Sequence, residues 1–387
     1  MARHNKRIAV VGAGMAGAAC AHHLAQLGCT VTLFDKARGA SGRISTRRTD
    51  MAHYDYGAQY FTAQSADFIA QVSDWYQRGV VCQWQPRMAS LESQQWFVGT
   101  PDMPAIVRDL VKNIDLHVNT RIESIERIEQ SVQSSRLASM AATDLLKQNL
   151  AWLEADPPDP PDPPDPPDPP DPAQPAQIDA VTDPATWQLI TNKGEVFAGY
   201  TDLIIAVPPA QAMPLIQPVA SSMLGVLKSI DMLPCWTVML STSDPVTTAL
   251  QFEAERLKDH PILAWWARND SKPGRVQHVG QADWVIQATA DWTLTHLDTD
   301  PADVIRLLYD AFWRHLGVQT LPQVWQSMAH RWLYSCRHLE PLSTQPSLWV
   351  ANLRLGVCGD GLIHSRVESA YLSGISMAQT VLGESQP

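Results

Sequence analysis

Apolar positions in this chain change their period several times, and each change marks an element. Ile8-Ala-Val-Val11 is a continuous apolar run of strand length. An alanine-rich stretch of helical length follows, and then a second run, Thr30-Val-Thr-Leu-Phe34. Gly12, Gly14 and Gly17 stand between the first run and the helix, and Asp35 closes the second run. The order strand, glycine turn, helix, strand, acid predicts the phosphate-binding half of a dinucleotide fold. Farther on, 200–209 reads as a buried strand closed by Pro208 and Pro209. Residues 237–240, 262–268 and 284–290 read as strands. Residues 301–316 read as an amphipathic helix with Val304, Leu307, Leu308, Ala311 and Phe312 on one face.

In the first motif each glycine has its own task. Gly12 permits a tight turn, Gly14 lets the backbone approach a pyrophosphate, and Gly17 lets the helix pack closely on the sheet. Ala13, Met15 and Ala16 complete the turn and the helix start, whose free N–H groups attract phosphate. Asp35 stands where a carboxylate accepts from a ribose hydroxyl, with Lys36 beside it. The plain alternative, a glycine-rich turn with no ligand, leaves that acid unexplained. Gly42 and Arg43 then lie in a glycine- and arginine-rich loop that can reach the pyrophosphate from its other side.

Downstream come Asp55-Tyr-Gly57-Ala-Gln59-Tyr60-Phe61 and, far along the chain, Gly356-Val-Cys-Gly359-Asp360 with Arg366-Val367-Glu368. Together with the glycine loop these resemble the flavin amine oxidase superfamily. Gln59–Ala63 in that stretch, Trp96–Met103, Trp265–Arg275 and His330-Arg331-Trp332 narrow the resemblance to bacterial renalase-like flavoproteins. It covers nearly the whole chain apart from about 128–185. The resemblance implies non-covalently bound FAD. Asp360 would contact its ribityl–phosphate region, and the backbone near Arg366 and Val367 would meet the flavin ring. Ile122 is the expected adenine contact, in a strand over 117–122. It also implies a mixed α/β fold, a Rossmann-like FAD-binding domain (1–58, 100–127, 186–212, 345–384) and a substrate domain (59–99, 213–344) built on an antiparallel sheet with helices.

On the substrate side, family position singles out Gln59 and Tyr60. Trp265 and Trp266 are adjacent on a strand and face opposite ways, so one can stack over a planar substrate while the other is core. His364 lies near the expected flavin, as a structural hydrogen-bonding group or a proton relay. Arg268 and Arg331 are candidates for substrate phosphates or for ion pairs. The activity implied is hydride transfer from the 1,2- or 1,6-dihydro isomers of NAD(P)H to flavin N5. Dioxygen would reoxidise the flavin, giving hydrogen peroxide and NAD(P)+. An amine oxidase on the same scaffold is the first alternative, although none of Lys228, Lys258 and Lys272 sits in a recognisable flavin-lysine motif. A non-catalytic binding protein on the same two-domain fold is the second.

Composition adds exclusions. With 387 residues the chain can hold two domains. Its net charge of -11 argues against nucleic acid as a partner. The cysteines form no CxxC pair, so neither zinc nor a redox dithiol is expected, and reduced thiols fit a cytoplasmic protein. Arg3, Lys6 and Arg7 before an apolar run mimic a signal peptide, but cleavage there would destroy the glycine loop. No apolar stretch is long enough to span a bilayer. Residues 156–172 repeat Asp-Pro-Pro, an extended polyproline pattern that forms no packed core. The region 128–185 therefore reads as an insertion with a helix over 136–154. It is either a tolerated surface segment or a ligand for a proline-binding partner.

Overall fold

The computed structural model describes residues 6–88, 94–128, 185–244, 251–338 and 345–383. The apolar run at the start becomes β1 (Arg7–Val11), inside a six-stranded sheet. The sheet order is β17 (Ser347–Val350), β18 (Leu355–Cys358), β11 (Asp202–Ile205), β1, β2 (Thr30–Phe34), β7 (Asp115–His117). All neighbours are parallel except β17 on β18. A parallel strand is covered on both faces, which is why β1, β2 and β11 read as unbroken apolar runs. Helix α1 (Met15–Gln26) leaves β1 through the glycine turn, and α8 (Val367–Leu382) follows β18. The two helices cross in backbone contact, since a Cβ on Gly374 would lie 2.2 Å from the Ala16 carbonyl oxygen. Both helices therefore begin at the carboxyl edge of the sheet, the usual ligand edge of such folds.

A three-stranded antiparallel sheet of order β10 (Val196–Tyr200), β9 (Thr186–Thr191), β8 (Ile122–Ile128) shares a core with Val11, Phe34 and Leu203. Helices α4 (Pro209–Ile216) and α5 (Leu224–Lys228) add Ala212, Leu215, Ile216 and Leu227 to that core. One expectation is corrected here. Residues 117–122 are not a single strand: β7 ends at His117, Asn119 turns left-handed at φ 52, and β8 begins at Ile122 in the other sheet. Asn accepts that conformation, and the turn is held by Asn119 N–H on Ala37 O and Thr120 N–H on Asp35 O. The expected insertion, with its Asp-Pro-Pro repeat and helix, lies outside the described residues. Its flanks are Ile128 and Thr186, which are register partners across β8 and β9.

The second domain is a five-stranded antiparallel sheet. Its order is β13 (Ala254–Arg256), β14 (Leu263–Arg268), β15 (Gln281–Ala288), β12 (Met232–Ser243), β16 (Val324–Arg337). Helices α6 (Ala290–Thr295) and α7 (Pro301–His315) cover one face, where Trp236, Trp266, Trp284 and Ile286 pack on Val304, Leu308 and Phe312. Asp300 caps α7 by accepting from Ala302 N–H, and Pro301 takes the first position, which needs no donor. Between the domains run β3 (Thr46–Arg48), β4 (His53–Asp55), α2 (Ala66–Gln77), β5 (Val81–Trp84), β6 (Trp96–Gly99) and α3 (Ala105–Val111). Phe61, Phe68 and Trp75 of this stretch join the core of α1 and α8, while Trp84 and Trp96 reach Trp265 of the second sheet. No helix among the described residues is long and apolar enough to cross a membrane.

Candidate functional site

The glycine turn divides its three glycines by physical role. Gly12 has φ +107, and a Cβ there would strike the Ala206 carbonyl at 2.6 Å. A Cβ on Gly17 would strike Gly12 O at 1.9 Å. Both glycines are demanded by the chain itself. Gly14 is not: its backbone is extended, and a Cβ would meet only Gly42 Cα, at an ordinary 3.9 Å. A side chain at 14 would project into the space in front of α1, the cradle a dinucleotide phosphate needs. Gly359 also has nothing within 4 Å of a Cβ, but its φ of +158 is one that side-chain-bearing residues rarely adopt, so there the backbone itself calls for glycine. Neither α1 nor α8 has a side-chain cap at its start, which leaves their first N–H groups without side-chain acceptors from the cap residue. The residues present fit a dinucleotide.

The loops close around this cradle. Gly42, left-handed at φ +57, lies against Gly14. Arg43 makes a fork on Asp360, with Nη1 donating to Oδ2 at 3.0 Å and Nη2 to Oδ1, and Nη1 also donates to Ser335 O at 3.2 Å. The glycine loop, the Gly42-Arg43 pair and the Gly359-Asp360 turn, far apart in sequence, are thus one cluster. Asp35 accepts from Ala13 N–H and Ala37 N–H, each at 2.7 Å. Each of its oxygens keeps a second acceptor direction. Lys36 turns outward to Gln211 on α4, 3.0 Å away. Met15 and Ala16 are buried in the first turn of α1. Arg366 donates to Gln64 at 3.1 Å, and Val367 opens α8. Beside it Glu368 accepts from Gln64 N–H, Ser65 N–H and Ser65 Oγ, fixing the start of α8 to that of α2. His364 is exposed on the turn before α8. Ile122 is buried beneath Phe34, one sheet away from the glycine turn.

A wall stands beside the cradle. The face of the five-stranded sheet away from its helices carries one row across all five strands: Arg256, Trp265, Gln287, Thr237 and His330 are successive register partners. Paired residues share a face, and Tyr56 to Tyr60 lie along this one. Arg256 donates to the Tyr60 hydroxyl, and Trp265 packs on Tyr60 at 5.4 Å. Gln287 Nε2 donates to Gly57 O at 2.9 Å, and His330 packs edge-on to Tyr56 at 4.8 Å. Trp332 stacks on Tyr56 and donates to its carbonyl at 2.9 Å. Ala58 N–H bonds Arg43 O at 3.0 Å, which ties this wall to the cradle. Burial, aided by the charge of Arg47, pushes His330 down to about 4, so it is neutral near pH 7. Trp265 and Trp266 do face opposite ways, but both are buried: Trp266 is in the helix-covered core, and Trp265 packs beneath Tyr60 and Trp96.

Behind the wall lies a buried charge cluster that sequence reasoning missed. Asp55 is fully buried and accepts from Arg275 Nε at 3.1 Å, Arg275 Nη2 at 2.5 Å, Lys272 Nζ at 3.3 Å, Thr46 Oγ1 at 2.6 Å and Met103 N–H at 3.3 Å. Burial alone would raise its carboxyl, but Arg275 and Lys272 prevail and hold it at about 2. Lys272 is also enclosed; burial brings it down to about 8 against the opposing pull of Asp55. Gln59 belongs to this cluster. Its Nε2 donates to Asp55 O and Gly57 O, and its Oε1 accepts from Lys272 at 3.2 Å. The Gln59 side chain thus holds the wall from behind, and Tyr60 is its half-buried neighbour. Arg268 pairs with Asp270 and Asp244, and Arg331 with Asp298. The alternation of polar Asp283 and Gln287 with apolar Trp284, Ile286 and Ala288 is the sequence signal that could have placed Gln287 on the open face.

Residues 10–78 match the family model of the NAD(P)-binding Rossmann-like domain. Among solved structures, the chain is similar to a protein assigned as a protoporphyrinogen oxidase from Exiguobacterium sp. 255-15, with 10% identity over 98% of this chain and 99% of that one at TM-score 0.65. It is similar to a putrescine oxidase bound to putrescine, with 10% identity over 98% and 99% of the two chains at TM-score 0.63. An oxidoreductase from Methanosarcina mazei is 9% identical over 96% and 99%, again at TM-score 0.63. At these identities the likeness is one of fold: over nearly its whole length the chain has a Rossmann-like domain joined to a second, sheet-rich domain, the architecture of these oxidases and oxidoreductases.

Proposed function

We propose that the protein is an FAD-dependent oxidase acting on 1,2- or 1,6-dihydro isomers of NAD(P)H. The observation that carries the reading is the meeting of the glycine turn, the Gly42-Arg43 pair and the Gly359-Asp360 turn, with room at Gly14 and with Tyr56 to Tyr60 tied to them through Ala58 and Arg43. Gly12 to Gly17, Asp35, Gly42, Arg43, Gly359, Asp360 and the start of α8 would hold the nucleotide. The flavin would supply the hydride acceptor and pass its electrons to dioxygen, releasing hydrogen peroxide and NAD(P)+. The wall would then position a planar ring, with the half-buried Tyr60 as the ring it meets and Trp265 as the buried support beneath it. The reaction asks no proton of the protein, because the dihydropyridine nitrogen supplies the electron push, so positioning carries the rate. That suits a wall whose nearest buried charges, Asp55 and Lys272, are bonded to each other.

The likeness to a putrescine oxidase favours a second reading, an amine oxidase. It has less support from the side chains. Lys272 is enclosed by Asp55, Gln59 and Asn269, while Lys228 and Lys258 are exposed. Tyr60 is stacked on Trp96 at 3.8 Å, leaving no gap between those rings for an amine. An anaerobic absorbance titration tests the choice. The yellow protein should be bleached rapidly by a mixture of dihydronicotinamide isomers and not by ordinary NADH or benzylamine. Bleaching by the amine alone transfers the assignment to the second reading. A protein that does not take up FAD at all removes both.

A further inference from the structure

The row across the second sheet ends in a cation that pairs with no carboxylate among the described residues. Arg256 lies on β13, the edge strand, and is exposed on the same face as Trp265, its register partner. Its guanidinium bonds the Tyr60 hydroxyl, a neutral acceptor. The acid beside it in sequence cannot serve it: Glu255 points to the opposite face, where it accepts from Trp266 Nε1 at 3.0 Å and meets His315 at 2.7 Å. The two arginines that the sequence singled out for phosphate are both ion-paired, Arg268 with Asp270 at 3.0 Å and Arg331 with Asp298 at 3.0 Å. Arg331 also stacks over Trp236, which lies on the helix-covered side.

We propose that Arg256 binds the phosphate groups of the substrate at the mouth of the site and so selects phosphorylated compounds; this rests on the dihydronicotinamide reading above. The geometry separates two tasks along one surface. Tyr60, half-buried and backed by Trp96 and the buried Trp265, presents a ring for a planar group, and Arg256 stands exposed at its hydroxyl end. A guanidinium fork matches a phosphate's oxygens, and a charge-assisted bond of this kind outlasts competition from water better than a neutral one. Anchored through Tyr60, the fork is also held in place before the ligand arrives.

The test compares a dihydronicotinamide dinucleotide isomer with the corresponding riboside, which has no phosphate. Arg256→Ala should raise the half-saturating dinucleotide concentration in anaerobic flavin reduction by roughly 10- to 100-fold. The limiting reduction rate, and the half-saturating concentration of the riboside, should change far less than the half-saturating concentration of the dinucleotide. Arg256→Lys should recover part of the loss. NAD+ binding, read by quenching of tryptophan fluorescence, should weaken in parallel. Equal losses with dinucleotide and riboside would overturn the proposal and make Arg256 a support for Tyr60; so would a Tyr60→Phe variant that reproduced the whole effect. If neither compound reduces the unaltered protein, the substrate reading fails first and takes this assignment with it.

Discussion

Gly14 and Gly17 are three residues apart, yet they answer to different demands. Gly17 is packed on the turn's own backbone, so Gly17→Ala should destabilise the fold, lowering the thermal midpoint and the soluble yield. Gly14 has room for a Cβ as far as the chain is concerned. Gly14→Ala should therefore melt like the parent while retaining far less flavin after gel filtration. A larger intrusion, Gly14→Glu, should abolish retention, and a variant that stays yellow would refute the placement of the phosphate. Asp55 shows the same principle in charge. Its folded carboxyl titrates at about 2, below the ordinary range near 4. A depressed carboxylate stabilises the fold above its unfolded value and loses that contribution as pH falls toward the folded one. Acid melting should thus steepen between about pH 5 and pH 2. Asp55→Asn should remove that slope and lower stability near pH 7 by about 3 to 5 kcal/mol, because Arg275 and Lys272 would remain buried without a counter-charge.

Elements differ in how far they announce themselves. The unit β1–α1–β2 was legible because its signals are local: two apolar runs, three glycines and an acid within one short stretch. The same holds for β11, β12, β14 and β15, and for α7, whose cap and apolar stripe lie in its own sequence. Strand β16 was not legible. Its side chains are half-buried or exposed all along, so no apolar face marks it, although His330-Arg331-Trp332 had drawn notice as a motif. The short hairpin partners β3 to β6 escaped because each has only three or four residues, too few to show a period. The wall could not be read either, since the row from Arg256 to His330 exists only through the pairing of strands remote in sequence. Gln59 was singled out by position, but its contacts with Lys272 and with its own turn are made only in the folded chain. The β8–β9 hairpin carries a prediction of its own. Its strands pair up to Ile128 and Thr186, so the chain between them leaves and returns at one place. Replacing residues 129–185 by Asn-Gly, a preferred two-residue hairpin turn, should leave flavin retention intact and the thermal midpoint equal or higher. A collapse of either would show that this segment contributes to the fold.

At the scale of the molecule, both halves of the cradle depend on distant pieces of chain. Asp35 and the glycine turn belong to the opening βαβ unit, whereas Asp360 and α8 belong to the closing one. The large sheet is interleaved in the same way: β18 inserts between β17 and β11, and β11 lies next to β1. This arrangement has a consequence for biosynthesis. Strand β18 and helix α8 emerge from the ribosome after every other element described here. Until they do, β11 keeps an open apolar edge and α1 lacks the helix it crosses with backbone contact. Such an edge is a template for wrong pairing, and long-range parallel pairing is slow to form. Until that point in synthesis the nucleotide side of the chain is unable to close. Whatever shields β11 during that interval decides the yield of active protein.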